Sequence, residues 1–225
     1  FGVSSILKNI ILPYRIIRSL LKVNILFREF NPTLVIGTGG YASALPLFMA
    51  TIQKTSIPIV LQEQNSFPGI TTRWFSKKAN LICAAFKTAS LDFDNKLVIT
   101  GNPIRRNIVL GDKSKALKVY SMDFQKRTLF VFGGSQGSAV LNKSLENIIN
   151  KFDNQSVQIL WQTGDNDYGK YKKYESKTVK IVPFINDMAA AYSLSDLVVC
   201  RSGALTLSEV TTCGKPSILV PFAAA

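Results

Sequence analysis

Thr128-Leu129-Phe130-Val131-Phe132 runs directly into Gly133-Gly134-Ser135-Gln136-Gly137, and the chain from there reads as a helix through Ile149. A short apolar run without strict alternation suits a strand buried on both faces. Glycines at its end permit a tight turn, and a helix starting there carries the chain back over the sheet. Seven other runs have the same form: Thr33–Gly37, Pro58–Leu61, Lys96–Thr100, Val157–Trp161, Val179–Val182, Leu197–Cys200 and Ser217–Val220. Most end in a turn or a glycine loop, with room for a helix before the next. Strand, loop and helix in repetition predict an α/β fold with open parallel sheets and helices on both sides. The polar stretch Gly111–Lys126 lacks a clear period and comes after a Gly-Asn-Pro turn, so it reads as a linker region between two halves, 1–105 and 106–225. Asp165–Lys177 reads as a solvated loop or a short helix.

Composition narrows the function classes. The 225 residues are 47% apolar and 18% charged, which excludes a disordered chain. There is no histidine, so imidazole metal sites and Ser-His-Asp triads are excluded within these residues. Cys83, Cys200 and Cys213 are far apart and form no metal-ligand spacing, so no metal site is expected and a reducing compartment is the natural reading. The net charge of +13 points to a polyanionic partner: nucleic acid, an anionic membrane or a phosphorylated substrate. Residues 1–105 carry twelve basic and four acidic side chains, against fifteen and ten in the rest. No signal peptide pattern opens the chain. The uncharged stretch Asn31–Gln53 is broken by Pro32, Gly37, Gly39, Gly40 and Pro46, and reads as strand, glycine loop and helix start. A start at Phe1 without Met, and a stop just after an apolar run, read as a piece of a longer chain.

The first segment, Ile6–Phe30, is apolar around much of a helical wheel, with Pro13 expected at or near a helix start. Lys8, Arg15, Arg18 and Lys22 fall on one stripe at helical spacing. Ile16, Ile17, Leu20 and Leu21 form an apolar arc beside it. One reading is a sheet-covering helix with a solvated basic face. The other is a helix that also lies on an anionic membrane surface. The two agree if the helix buries one apolar face and presents another.

Ligands of doubly wound sheets bind outside the carboxyl ends of the strands. Gly37-Thr38-Gly39-Gly40-Tyr41 and Gly133–Gly137 stand at such ends. Each reads as a tight turn or as backbone N–H groups brought close to an anion, and two such loops favour the phosphate reading. Ser135 can donate to a phosphate oxygen or cap the next helix. Gln62-Glu63-Gln64-Asn65 places four polar side chains at a strand end, either for sugar hydroxyls or as a helix N-cap region, with Glu63 a possible acid or base. Gly101-Asn102-Pro103-Ile104-Arg105-Arg106 offers Arg105 as a pyrophosphate clamp or as an exposed turn arginine. Arg201-Ser202-Gly203-Ala204-Leu205-Thr206-Leu207-Ser208-Glu209 leads into a helix. Glu209 there can accept both hydroxyls of a ribose, or serve as an ordinary early-helix acid.

As a set these strings closely resemble the MurG family, bacterial transferases that move N-acetylglucosamine from UDP to a lipid-linked N-acetylmuramyl-pentapeptide. The strings are Gly37–Tyr41, Glu63–Asn65 with Pro68-Gly69, Gly101–Arg105, Gly133–Gly137 with Leu141-Asn142, and Gln162–Gly164. Next come Phe184–Ala189, Arg201–Thr206 with Ser208-Glu209, and Gly214–Pro221. They keep the family's order over nearly the whole chain after the first helix. The resemblance implies a GT-B type glycosyltransferase: two Rossmann-like domains with parallel sheets facing a cleft. Residues 1–105 would belong to an N-terminal acceptor and membrane-associating domain, and 106–225 to a C-terminal donor domain. It implies inverting transfer without metal or cofactor from UDP-N-acetylglucosamine to the muramyl 4-hydroxyl of lipid I, giving lipid II. By position, donor contacts fall on Asn65, Arg105, Ser135, Ile185 and Ala204, Leu205, Thr206, Leu207, Ser208 and Glu209. Ile185 would meet uracil through its backbone and Glu209 would hold the ribose. Gly39, Gly40 and Tyr41 would line the acceptor side. Arg15, Ile16, Ile17, Arg18, Leu20, Leu21 and Lys22 match the family's membrane-associating patch, implying a peripheral protein of the cytoplasmic face of the bacterial inner membrane.

The chain also departs from the family. The opening glycine-rich unit with its histidine and the C-terminal segment with its donor-binding glutamine are not in these residues, and Gln62 stands where the family usually has histidine. The residues alone are therefore expected not to turn over, and Glu63 is the one base candidate they offer. Rival readings are another GT-B enzyme with a diacylglycerol or polyprenol acceptor, a non-catalytic UDP-sugar-binding module, and a nucleic-acid binder. The last lacks any helix-turn-helix, zinc or aromatic RNA-binding signature, so no nucleic-acid partner is expected.

Overall fold

The computed structural model describes residues 3–53, 56–87, 96–152 and 156–222, with the side chains of the first helix described from Leu12 onward. Contacts divide the chain into two units, Phe1–Asn102 and Pro103–Ala225. Each is built around its own parallel sheet.

Unit 1 runs α1 (Val3–Phe30), β1 (Val35–Gly37), α2 (Ala44–Ile52), β2 (Ile59–Glu63), α3 (Ile70–Phe75), β3 (Leu81–Ala84) and β4 (Leu97–Ile99). Its strands lie in the order β1-β2-β3-β4, all parallel. Val35, Ile59, Leu61 and Ile82 meet Leu47 and Ala50 of α2 and Phe75 of α3, and Phe27 of α1 packs on the same cluster. Three expectations need correction here. Pro13 lies inside α1 rather than at its start. A proline there forgoes one backbone hydrogen bond and crowds the preceding turn, which a helix of 28 residues absorbs. β3 is a strand that the apolar runs do not announce; its four residues include the small Cys83 and Ala84, which weaken the β-branched signature. Burial on both faces fails for β1 and β4, the two edge strands, where Ile36 is 59% and Ile99 49% exposed.

Unit 2 runs α4 (Lys113–Tyr120), β5 (Arg127–Phe132), α5 (Ala139–Ile148), β6 (Val157–Gln162), α6 (Asp165–Tyr171), β7 (Val179–Val182), α7 (Met188–Leu194), β8 (Leu197–Arg201), α8 (Ala204–Thr212) and β9 (Ser217–Val220). The strand order is β7-β6-β5-β8-β9, again all parallel. Alternate residues of β5 feed two cores. Phe130 and Phe132 face Ala191, Tyr192 and Leu194 of α7, Leu117 of α4 and Val210 of α8. Val131 joins Ile159, Trp161 and Ile181 against Leu145 of α5 and Tyr171 of α6. Here the apolar run of the central strand is buried on both faces, as its sequence implies. The supposed linker Gly111–Lys126 contains α4. Asp112 caps it by accepting from the Lys115 N–H, Ser121 closes it in the left-handed conformation, and Ala116 and Leu117 are buried. Eight residues with two buried side chains give too little period to read.

Candidate functional site

In unit 2 the strand order turns at β5, with β6 and β7 to one side and β8 and β9 to the other. The carboxyl ends of β5 and β8 therefore flank a switch point, where adjacent loops diverge and leave room for a ligand. The loop after β5 is shaped by Gly134 and Gly137, both at positive φ. A Cβ on Gly137 would overlap the Thr163 carbonyl oxygen, so the loop after β6 packs directly on this backbone. Ser135 is exposed on the turn. The capping alternative for Ser135 is corrected: Ser138 caps α5, its Oγ accepting from the Leu141 N–H at 3.4 Å.

Gln162, 2% exposed at the end of β6, joins two of these loops. Its Nε2 donates to the Gly134 carbonyl at 2.9 Å, and its Oε1 accepts from the Ile185 N–H at 2.9 Å. Ile185 buries its side chain in the core. Its N–H is thus committed to the protein, and its carbonyl is the backbone group able to accept from a ligand. Arg201 makes a second link, donating from Nε to Ser138 Oγ at 2.9 Å and from a terminal nitrogen to the Pro221 carbonyl at 2.7 Å.

The loop after β8 reaches α8 through Gly203. The first turn of α8, Ala204 to Thr206, presents the positive end of the helix dipole. Leu205 is exposed; Thr206, Leu207 and Ser208 are half-buried, with Ser208 Oγ donating to the Ala204 carbonyl at 3.0 Å. Glu209, in the second turn, is half-buried and accepts on Oε2 from the Tyr192 hydroxyl at 3.1 Å. Ser135, Ile185 and Ala204–Glu209 thus share one edge of unit 2. Arg105 is exposed near the start of this unit, its carbonyl accepting from the Ile108 N–H.

In unit 1 the carboxyl edge gathers Gly39, Gly40 and Tyr41 after β1 and Glu63 and Asn65 at β2. Gly39 and Gly40 take φ of 84° and 72°, a conformation glycine adopts without strain. Ser43 Oγ donates to both their carbonyls, and Thr71 Oγ1 donates to that of Gly40 at 3.0 Å. Tyr41 is 80% exposed. Glu63 is 3% exposed and accepts four hydrogen bonds: the Asn65 N–H, Asn65 Nδ2, the Gly69 N–H, and Thr72 Oγ1 at 2.6 Å. Burial pushes its pKa up, but those bonds outweigh it and hold the carboxyl below its ordinary 4.5. Asn65 is exposed. Asn102 joins this edge, accepting from Gln62 Nε2 and donating to the Gln64 carbonyl.

On α1, Arg15, Ile16, Ile17, Arg18, Leu21 and Lys22 are exposed and Leu20 is half-buried. The Lys8 side chain, part of the expected basic stripe, lies outside the described residues. No helix among the described residues is long and apolar enough to cross a membrane. Sequence reasoning missed Ser138, Gln162, Tyr192 and Arg201 as working parts of this edge. Gln162 and Arg201 stand within the motif strings, but nothing in those strings says what they hold.

Comparison with known proteins bears on the same loops. Residues 2–83 match the glycosyltransferase family 28 N-terminal domain and residues 128–225 its C-terminal domain. A protein of Christiangramia forsetii, named UDP-N-acetylglucosamine–N-acetylmuramyl-(pentapeptide) pyrophosphoryl-undecaprenol N-acetylglucosamine transferase, is 41% identical over 96% of this chain. One of the same name from Finegoldia magna is 43% identical over 92%. The chain spans 59% and 57% of their respective lengths. The crystal structure of Acinetobacter baumannii MurG superposes with a TM-score of 0.67 at 27% identity, covering 95% of this chain and 60% of that one. The two parallel-sheet units are the fold they share.

Proposed function

The chain belongs to glycosyltransferase family 28, in its MurG group, and from that membership we propose that the whole protein transfers N-acetylglucosamine from UDP-N-acetylglucosamine to lipid I. The observation that carries the reading is the unit 2 edge. The helix start of α8 and the turn at Gly133–Gly137 flank the switch point, and Glu209 stands one turn into α8, in a chain 41% identical to a transferase of that name.

In this reading the muramyl 4-hydroxyl attacks the anomeric carbon of the donor sugar from the face opposite UDP. A carbon–oxygen bond forms there as the bond to the diphosphate oxygen breaks, so the centre inverts. The hydroxyl proton passes to a base. Charge developing on the UDP leaving group meets the positive end of α8 and the N–H groups of the glycine turn, preorganised donors that do the work a divalent cation does in other sites. Glu209 holds the ribose and the Ile185 carbonyl accepts from the base ring. Glu63 serves as the holder of the Asn65 loop: a carboxylate with four donors and a lowered pKa has little tendency to take a further proton. Unit 1 receives the acceptor over Gly39, Gly40 and Tyr41. α1 rests on the anionic inner-membrane surface, supported by exposed Arg15, Arg18 and Lys22 beside exposed Ile16, Ile17 and Leu21.

The test offers labelled UDP-N-acetylglucosamine to the full-length protein, with chelator present, alongside a lipid I analogue or diacylglycerol. Transfer to the lipid I analogue alone is expected. Transfer to diacylglycerol alone would overturn the acceptor, and UDP binding without any transfer would overturn the reaction. Reversing Arg15, Arg18 and Lys22 to Glu should release the protein from anionic vesicles, since each basic residue near such a surface contributes about 1 kcal/mol. Undiminished co-sedimentation would leave α1 as a sheet cover.

A further inference from the structure

Tyr192 and Glu209 come from different helices of unit 2 and meet through one hydrogen bond. The tyrosine is 1% exposed. Its ring packs edge-on against Phe130 at 6.0 Å and Phe132 at 6.2 Å, so α7 and β5 together fix where the hydroxyl emerges. That hydroxyl donates to Glu209 Oε2 at 3.1 Å. A glutamate on a helix surface otherwise samples several rotamers and must be ordered when a ligand binds. A donor anchored in the core removes much of that ordering beforehand.

We infer that Tyr192 is a positioning residue, which holds one oxygen of the Glu209 carboxylate so that the other, Oε1, meets the ribose hydroxyls of a uridine nucleotide. The inference rests on the nucleotide role proposed for Glu209. Protonation supports it from another side. Burial first, and then the charge of Glu209 and its hydrogen bond, push the Tyr192 pKa far above its ordinary 10, so the group stays a donor throughout the range where enzymes work. The bond also satisfies a hydroxyl that would otherwise be buried without a partner. A purely structural role predicts that much and no more; the positioning role predicts an effect confined to ligands that carry ribose hydroxyls.

Tyr192→Phe keeps the ring and its contacts with Phe130 and Phe132 and removes one oxygen. The full-length protein, the variant and Glu209→Ala would each be titrated calorimetrically with UDP and with 2′,3′-dideoxy-UDP. The unsubstituted protein should prefer UDP. Tyr192→Phe should bind UDP about five- to tenfold more weakly, the net worth of one ordinary hydrogen bond, and should bind the dideoxy nucleotide with undiminished affinity. Equal weakening of both nucleotides would overturn the inference in favour of packing. UDP affinity equal to that of the unsubstituted protein, with Glu209→Ala still weakened, would also overturn it. Undiminished UDP affinity in Glu209→Ala would instead remove the premise, the nucleotide role of Glu209 itself.

Discussion

Glu63 and Glu209 both lie near the carboxyl edge of a parallel sheet, one in each unit, and the protein treats them in opposite ways. Glu63 is sealed off, with four donors converging on its two oxygens. Glu209 is half-buried, and among the described residues it receives one donor, the Tyr192 hydroxyl, on one oxygen. A carboxylate whose acceptor capacity is filled by its own chain holds that chain in shape. A carboxylate held by one oxygen keeps capacity for something that comes and goes. Counting donors therefore tells apart two acids that residue type does not, and the second is the one proposed to bind.

The contrast should be largest in stability. Glu63→Ala strands the Thr72 hydroxyl and the Gly69 and Asn65 N–H groups near the end of β2, and should lower unfolding free energy by about 3 kcal/mol in urea titration of the full-length protein. Glu209→Ala should cost less, about 1 kcal/mol, since it strands one donor, the buried Tyr192 hydroxyl, where Glu63→Ala strands three. Similar losses from both would break the contrast. A smaller effect sharpens it through pH. The folded pKa of Glu63 lies below its ordinary 4.5, so its carboxylate bonds contribute fully above that value. That contribution is lost as pH falls from about 4.5 through the depressed folded value. Glu63→Gln should flatten this part of the stability profile. A profile unaltered by Glu63→Gln would assign the acid sensitivity to other groups.

Much of the fold was legible because buried strands of a parallel sheet are apolar runs closed by glycine or polar residues, as at Phe132-Gly133 and Leu61-Gln62. β3 and α4 escaped because each is short and leans on small or sparse apolar residues. The loops of the site were legible for the same reason as the strands, since they are where apolar runs break. Their fastenings were not. Tyr192 reaches Glu209 across 17 positions and Arg201 reaches Ser138 across 63, and no local pattern marks either pairing. Glu63 is the middle case: three of its four donors lie within six positions, yet a polar run at a strand end does not say which member is the acceptor for the rest.

The strand order of unit 2 also sets a timetable. β5 can pair with β6 soon after it is made, but its other neighbour, β8, begins far downstream: the Thr128 N–H is held by Asp196, 68 residues later. At about 5 to 20 residues per second, a ribosome needs roughly 3 to 14 s to supply that stretch. During that interval one side of β5 has no partner, and α7, which covers Phe130 and Phe132, is still being made. The glycine turn at Gly133–Gly137 thus exists as chain well before the other half of the switch point arrives. The newborn protein must keep an aromatic strand from pairing elsewhere while it waits, so this edge is exposed to misassembly during synthesis.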